Sequence, residues 1–360
     1  MQQRAPGNLP ALTGLRGIAA VWVLLFHIFK FQTIRIPVID QGYAGVDIFF
    51  LLSGFILSHV YMRSDPLTVK EYFRFLGVRL ARIYPLHLFT LCSLLIIVVA
   101  FPDFAASYRK NPGALGLGAF VANLFLVQNW GFSAYQSWNA PSWSLSAEWL
   151  AYLAFPFLLP FLKDTKSGSF LIALSAAVLA SMVCFLYLAG HHTLDVTERA
   201  GMVRMAGEFA AGCLLYGAFA RGWRIFSTLG LAGMAVMLGA GLLFPALNLL
   251  LVFGFALCVL LAAQGQTGYA RFLEWRPILF LGEISYSLYM THLIAIRLFN
   301  WLTENGRGWS SAATIATILV IVLAVSVATY HFVELPSRKF GRRLVLRPAR
   351  LTIAQPSLPA

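Results

Sequence analysis

Charge is what this sequence is short of. Charged residues make up 11% of the chain, against about 25% in an ordinary soluble domain. Acids are the scarcer kind, 14 Asp and Glu against 27 Lys and Arg. With 59% apolar residues and a mean hydropathy of +0.75, that shortage excludes a soluble globular fold. Cysteine is sparse too. Cys92, Cys184, Cys213 and Cys258 each fall within an apolar run and show no CxxC spacing, so they read as reduced packing residues rather than a disulfide framework. There is no HExxH helix, no phosphate-cradling glycine loop and no GxSxG elbow. Metal, nucleoside-triphosphate and serine-hydrolase chemistry lose support accordingly. No soluble domain and no internal repeat is visible. The net charge of +13 does not point to nucleic acid, because the basic residues are dispersed between apolar runs, as in cytoplasmic loops of membrane proteins.

Apolar runs are what the sequence does have. They lie near residues 9–30, 43–62, 83–101, 114–128, 143–162, 169–189, 205–221, 226–243, 246–263, 279–300 and 310–333, several of them close to the ~20 residues that one bilayer crossing needs. The first run is not a cleaved signal peptide: it is long, contains Arg16 and His27, and has no small-residue cleavage pattern after it. The run at 114–128 is short and opens on Gly113, Gly116 and Gly118. If it does not cross and the N-terminus is cytoplasmic, 19 of the 27 basic residues fall inside; if it crosses, 11 do. The positive-inside rule prefers the first arrangement. The expectation is an all-α integral membrane protein with ten transmembrane helices and both termini cytoplasmic. Residues 102–142 would form an outer loop with a re-entrant or interfacial helix, and that loop would line a cavity, since non-helical backbone at depth needs protein or water around it. Residues 1–340 form one transmembrane domain; 341–360 are a short basic, frayed tail. Arg338, Lys339, Arg342 and Arg343 suit anionic lipid headgroups.

Leu12 to Phe31 organises the rest. It is an apolar helix with two ionisable residues, Arg16 and His27, eleven residues apart, which is roughly 16 Å of rise and about 20° of rotation. One face carries both. Such groups face a bundle interior or a wet cavity; the plainer alternatives are a snorkelling arginine and a packing histidine. In the ten-crossing arrangement His27, Asp47, Glu148 and His292 all lie toward the outer half. A carboxylate beside a histidine fixes its tautomer and raises its basicity, as general-base work requires; structural hydrogen bonds between helices are the alternative. On the cytoplasmic side, Arg79 and Arg82 are three apart and share a helix face, with Arg74 nearby, and their forked donors suit phosphate oxygens. A donor entering from the cytosol and an acceptor modified outside fit that layout. The rival reading is a proton-coupled transporter or flippase, against which stands the lack of two similar halves.

These residues sit in segments that resemble the membrane acyltransferase 3 family from about Leu9 to Phe340: LTGLRGIAAVWVLLFHI, GYAGVDIFFLLSGFIL, RLARIYPLHL, NAPSWSLSAEWLAY, LGEISYSLYMTHLI and HFVELPSRKF, six in family order. The resemblance implies transfer of an acetyl or other short acyl group, succinyl included, from cytosolic acyl-CoA to a hydroxyl of an extracytoplasmic or lipid-linked glycan. The setting would be the inner (cytoplasmic) membrane, without a metal. It implies roles for Arg16, Arg79 and Arg82 toward the coenzyme. His27 would be the general base or a transient acyl carrier, with Asp47 or Glu148 orienting it. Ser53, Trp143, Ser146, Tyr286 and His292 would lie on the substrate. Partners would be acyl-CoA, the glycan and membrane lipids; a homo-oligomer stays open. The chain departs from the family pattern at Trp149, Leu150, Ala151 and Tyr152, where members often have glutamate, glutamine and an aromatic pair, and at Thr291, where tryptophan is usual. Both departures lie near the acceptor side. Some members carry a fused esterase-like domain; without one, this chain is expected to deliver the acyl group itself or with a separate partner.

Overall fold

A computed structural model describes residues 9–62, 68–106, 113–131, 136–304 and 307–345, the side chains only as far as 341. The described residues are helical and contain no strand. Ten helices make up the body: α1 (Pro10–Phe31), α2 (Gly45–Tyr61), α3 (Val69–Ala100), α4 (Trp143–Asp164), α5 (Gly168–Leu188), α6 (Arg199–Ala220), α7 (Ser227–Leu243), α8 (Leu251–Gln264), α9 (Arg276–Leu302) and α10 (Ser311–Thr329). After α10 a π-turn (Tyr330–Glu334) leads straight into a last helix, Leu335–Val345. Among the described residues, eight helical spans are long and apolar enough to cross a membrane, α2 and α8 only together with the 3-10 turns that begin at Gly42 and Pro245. The other two long elements are α6, whose apolar run is interrupted by Arg204 and Glu208, and α7, 17 residues long. Within the run at 114–128 the helix is Leu117–Leu124, eight residues, or about 12 Å of rise against ~30 Å of hydrocarbon. The tail from 346 onward lies outside the described residues.

Helix starts follow local chemistry. Thr68 accepts the Glu71 amide while the Glu71 side chain accepts the Thr68 amide, a capping box that starts α3; Ser167 and Ser310 cap α5 and α10 with their hydroxyls. In lipid, helices gain little from hiding apolar surface, so close packing of small residues brings them together. Two crossings depend on it. A Cβ on Gly17 would come within 2.6 Å of the Gly282 amide nitrogen, and one on Gly282 within 2.0 Å of the Thr13 carbonyl oxygen, so α1 and α9 meet backbone to backbone. A Cβ on Gly54 would be 2.0 Å from the Phe209 oxygen and one on Gly212 2.1 Å from the Leu51 oxygen, closing α2 on α6.

The segment between α3 and α4 folds back into the bundle. Phe104 and Trp138 are buried with Leu91 and Leu94 of α3. Its polar backbone is satisfied by protein: His87 Nε2 reaches the Asn123 oxygen at 2.8 Å, the Tyr84 hydroxyl donates to the Leu124 oxygen at 3.0 Å, and Asn139 Nδ2 donates to the Met290 oxygen of α9 at 2.9 Å. Gln128 and Asn123 both bond to Ser142 at the start of α4. The described part of this segment brings Gln136, Ala140 and Pro141 to the wall of a cavity.

Candidate active site

Among the described residues, a cavity opens into the bundle near each end of α1. The first, about 780 Å³ with its mouth, holds Arg16, Ser53, Arg82, Glu148, Tyr152 and Tyr286 among apolar walls from α2, α3 and α4. Its polar groups are held in three separate sets of hydrogen bonds. Glu148 Oε1 accepts from Ser53 Oγ at 2.6 Å and from the Tyr152 hydroxyl at 2.5 Å. Arg16 donates from Nη2 and Nε to the Gly282 carbonyl at 2.6 and 3.2 Å, across the glycine crossing that brings α9 within reach. Arg16 thus faces the bundle rather than the headgroups. The Tyr286 hydroxyl donates to the Ile83 oxygen at 2.5 Å.

The two α3 arginines differ. Arg82 lines the cavity. Arg79 is buried, packs its guanidinium on the rings of Tyr61 and Phe75, donates to the Tyr61 hydroxyl at 2.9 Å, and keeps Nε without a partner.

The second cavity, about 810 Å³, lies at the other end of α1 and holds His27, Lys30, Tyr43, Asp195, Thr197 and His292. His27 Nδ1 lies 2.9 Å from the Val23 carbonyl oxygen and 3.3 Å from His292 Nε2. A carbonyl oxygen only accepts, so Nδ1 of the neutral ring carries the proton and Nε2 keeps its lone pair. His292 is fixed in the same way, its Nδ1 on the Tyr289 and Leu288 oxygens at 2.7 and 3.2 Å. The imidazole of His27 is therefore oriented by a backbone carbonyl and a second histidine.

That geometry corrects the expectation that Asp47 or Glu148 orients His27. Asp47 is held by Arg204 through two bonds, Nε to Oδ1 at 2.5 Å and Nη2 to Oδ2 at 2.8 Å, with both side chains buried. Glu148 belongs to the first cavity. Trp143 does line the second, beneath the Arg204 guanidinium at 5.6 Å from the ring centre. Ser146 lines neither: its hydroxyl accepts the Asn129 amide at 3.1 Å and its carbonyl accepts Trp130 Nε1, which ties down the loop before α4.

Sequence reasoning missed four participants. Arg204 and Glu208 are a buried charged pair four residues apart in an apolar stretch, a signal that was readable. Tyr289 and Glu334 sit inside quoted motifs without a role. The π-turn sets Glu334 between Ser287 Oγ at 2.7 Å and Arg338 Nη1 at 3.3 Å, and Arg338 lies within electrostatic reach of Arg82. Such turns recur at functional sites.

A helical bundle with an arginine-bearing cavity near one end and a histidine pair near the other defines a multi-pass membrane protein with the parts of a transferase. The chain belongs to the acyltransferase 3 family, whose model, described as an acyltransferase domain, matches residues 9–331. It is 29% identical to the acyltransferase MdmB of Streptomyces mycarofaciens over 93% of each chain. It is 24% identical to the O-acetyltransferase OatA of Staphylococcus aureus, over 94% of this chain and 58% of that protein. The peptidoglycan O-acetyltransferase OatA of Listeria monocytogenes is 26% identical, over 92% of this chain and 56% of that protein. The chain therefore spans little more than half the length of the two OatA proteins. No solved structure matches it. It is an acyltransferase.

Proposed function

We propose that the protein takes an acetyl or other short acyl group from cytosolic acyl-CoA and transfers it to a hydroxyl of an extracytoplasmic or lipid-linked glycan, as an enzyme of the cytoplasmic membrane. The glycan acceptor is supported by the names of the OatA relatives. The observation that carries the reading is the division of labour along α1: Arg16 and Arg82 in one cavity, and an imidazole with a free Nε2 in the other. Arg82 would hold coenzyme A phosphates, with Arg79 three residues before it on the same helix as the second arginine of the patch, and Arg16 would lie along the channel. With ten crossings, α1 to α10, and both ends cytosolic, that end would face the coenzyme.

In the transfer, the acceptor oxygen attacks the thioester carbonyl as His27 Nε2 takes its proton; the C–S bond breaks and the thiolate receives that proton. An acyl-imidazole at Nε2 that the acceptor then opens has the same balance. Glu148, with its two hydroxyl donors, shapes the donor cavity, and Asp47 fixes Arg204 under the acceptor.

The test uses purified full-length protein in lipid nanodiscs with acetyl-CoA and envelope glycan. Release of coenzyme A thiol, with acetyl ester appearing on the glycan, is expected. A proton-coupled transporter would leave acetyl-CoA intact, and that result would overturn the reading.

A further inference from the structure

Among the described residues Tyr289 is the one side chain that lines both cavities. It is buried and held on three sides. Its hydroxyl donates to the Pro141 carbonyl at 3.1 Å and accepts from Ser144 Oγ at 2.9 Å, while Phe49 packs edge-on against its ring at 5.7 Å. One helical turn further on, His292 carries the ring that faces His27, and the Tyr289 carbonyl is what fixes that ring. Tyr289 therefore stands at the boundary of the two cavities, clamped to Pro141 and Ser144 at the start of α4 and next to the histidine pair.

We infer that Tyr289 is the partition that an acyl group must displace to reach the acceptor, and that it sets which acyl groups the enzyme transfers and how well the waiting thioester is kept from water. The inference rests on the acyl transfer proposed above. The argument is steric. A thioester delivered along the arginine-bearing cavity meets the acceptor hydroxyl only where the two cavities adjoin, and Tyr289 occupies that place. An acetyl group asks the ring to move by little. A longer chain asks for more, against two hydrogen bonds and a packed phenylalanine. With the ring seated, water in the polar acceptor cavity is separated from the thioester. With the ring removed, a water oxygen attacks the thioester carbonyl, the C–S bond breaks, and the thiolate takes the water's proton, giving free acid and coenzyme A thiol.

The experiment measures thiol release by full-length protein in nanodiscs from acetyl-CoA, butyryl-CoA and hexanoyl-CoA, with and without envelope glycan, for the native chain, Tyr289→Phe, Tyr289→Trp and Tyr289→Ala. The native chain should favour acetyl-CoA and release little thiol without glycan. Tyr289→Ala should raise glycan-independent release about tenfold or more and shift preference toward the longer chains. Tyr289→Phe keeps the ring and loses both hydrogen bonds, so it will fold and should show the same changes at a few-fold. Tyr289→Trp should narrow the preference further. Unchanged chain-length ratios and unchanged glycan-independent release in Tyr289→Phe and every other folded variant, with the native chain active, would overturn the partition and leave the transfer reading intact. A native chain that consumes no acyl-CoA at all would overturn both.

Discussion

The two cavities share α1, α2, α4 and α9 but are built from different chemistry, with α3 lining only the first and α6 only the second. The arginine-bearing one is walled by Phe49, Phe50, Leu52, Ile56 and Leu57, with charge confined to Arg16, Arg82 and Glu148. The histidine-bearing one is ringed by side chains that exchange hydrogen bonds with water or sugar: Lys30, Tyr43, Gln136, Asp195 and Thr197. A ligand with a polyanionic head and a slender apolar arm suits the first; a saccharide suits the second. The contrast also teaches where rigidity is placed. Next to the acceptor cavity lies the densest buried charge among the described residues, Asp47 with Arg204 and Glu208 at 4.0 Å from that guanidinium. The arginine-bearing cavity is held by hydroxyl-to-carboxylate bonds and by arginine on a carbonyl.

The largest break in this comparison should come from the imidazole. His27→Ala removes the proposed base, and acyl transfer to envelope glycan should fall by about 10²–10⁴-fold, while acetyl-CoA binding to the nanodisc protein stays as it was. Transfer at the native rate would take the chemistry away from the histidine end. Next is Asp47→Ala. It takes from the buried Arg204 guanidinium its two hydrogen bonds and leaves it only Glu208 at 4.0 Å; breaking a buried pair costs about 3–5 kcal/mol. Thermal unfolding in detergent should show a lowered Tm, and Asp47→Ala with Arg204→Leu and Glu208→Gln should recover part of it because no buried charge of the cluster then remains. If Asp47→Ala unfolds like the native protein but loses activity, Asp47 acts on substrate instead. Third is Arg82→Ala, which removes a charge-assisted donor, a group worth about 1.5–3 kcal/mol. Coenzyme A should bind roughly 10- to 100-fold more weakly and with a reduced salt dependence, with the acceptor unaffected. An unchanged coenzyme affinity would empty the first cavity of its assignment.

How much of this was legible in the sequence depends on what kind of contact each residue makes. Apolar runs gave the helices, because a bilayer demands about twenty apolar residues whatever the neighbours are. Arg16 and His27 were found because charge inside such a run is costly enough to need a reason, and the 3.6-residue period put them on one face. What periodicity cannot do is pair one helix with another. Asp47 meets Arg204, 157 positions away, and Glu148 meets Ser53, 95 positions away; nothing local distinguishes these pairings from Asp47 meeting His27. The histidine pair was hidden for the same reason, since His292 lies 265 positions from His27. Tyr289 was hidden by its ordinariness: a tyrosine in an apolar helix reads as packing until two cavities are seen on either side of it.

The smallest effect is the most specific about which cavity does what. Ser53→Ala deletes the 2.6 Å bond to Glu148 Oε1 but leaves the Tyr152 hydroxyl on that same oxygen at 2.5 Å. A single neutral hydrogen bond nets about 0.5–1.5 kcal/mol, so kcat/KM should drop by roughly two- to tenfold, with little change in Tm. Tyr152→Phe should behave alike. The double variant should cost more than the two losses added, because the Glu148 carboxylate then has neither donor and a group left unpaired in the interior bears its full desolvation penalty. The decisive feature is which substrate registers the change. Saturation curves against acetyl-CoA should move and curves against glycan should stay, since Ser53, Tyr152 and Glu148 all line the arginine-bearing cavity and none lines the other. A shift confined to the glycan curve would exchange the two cavities' roles.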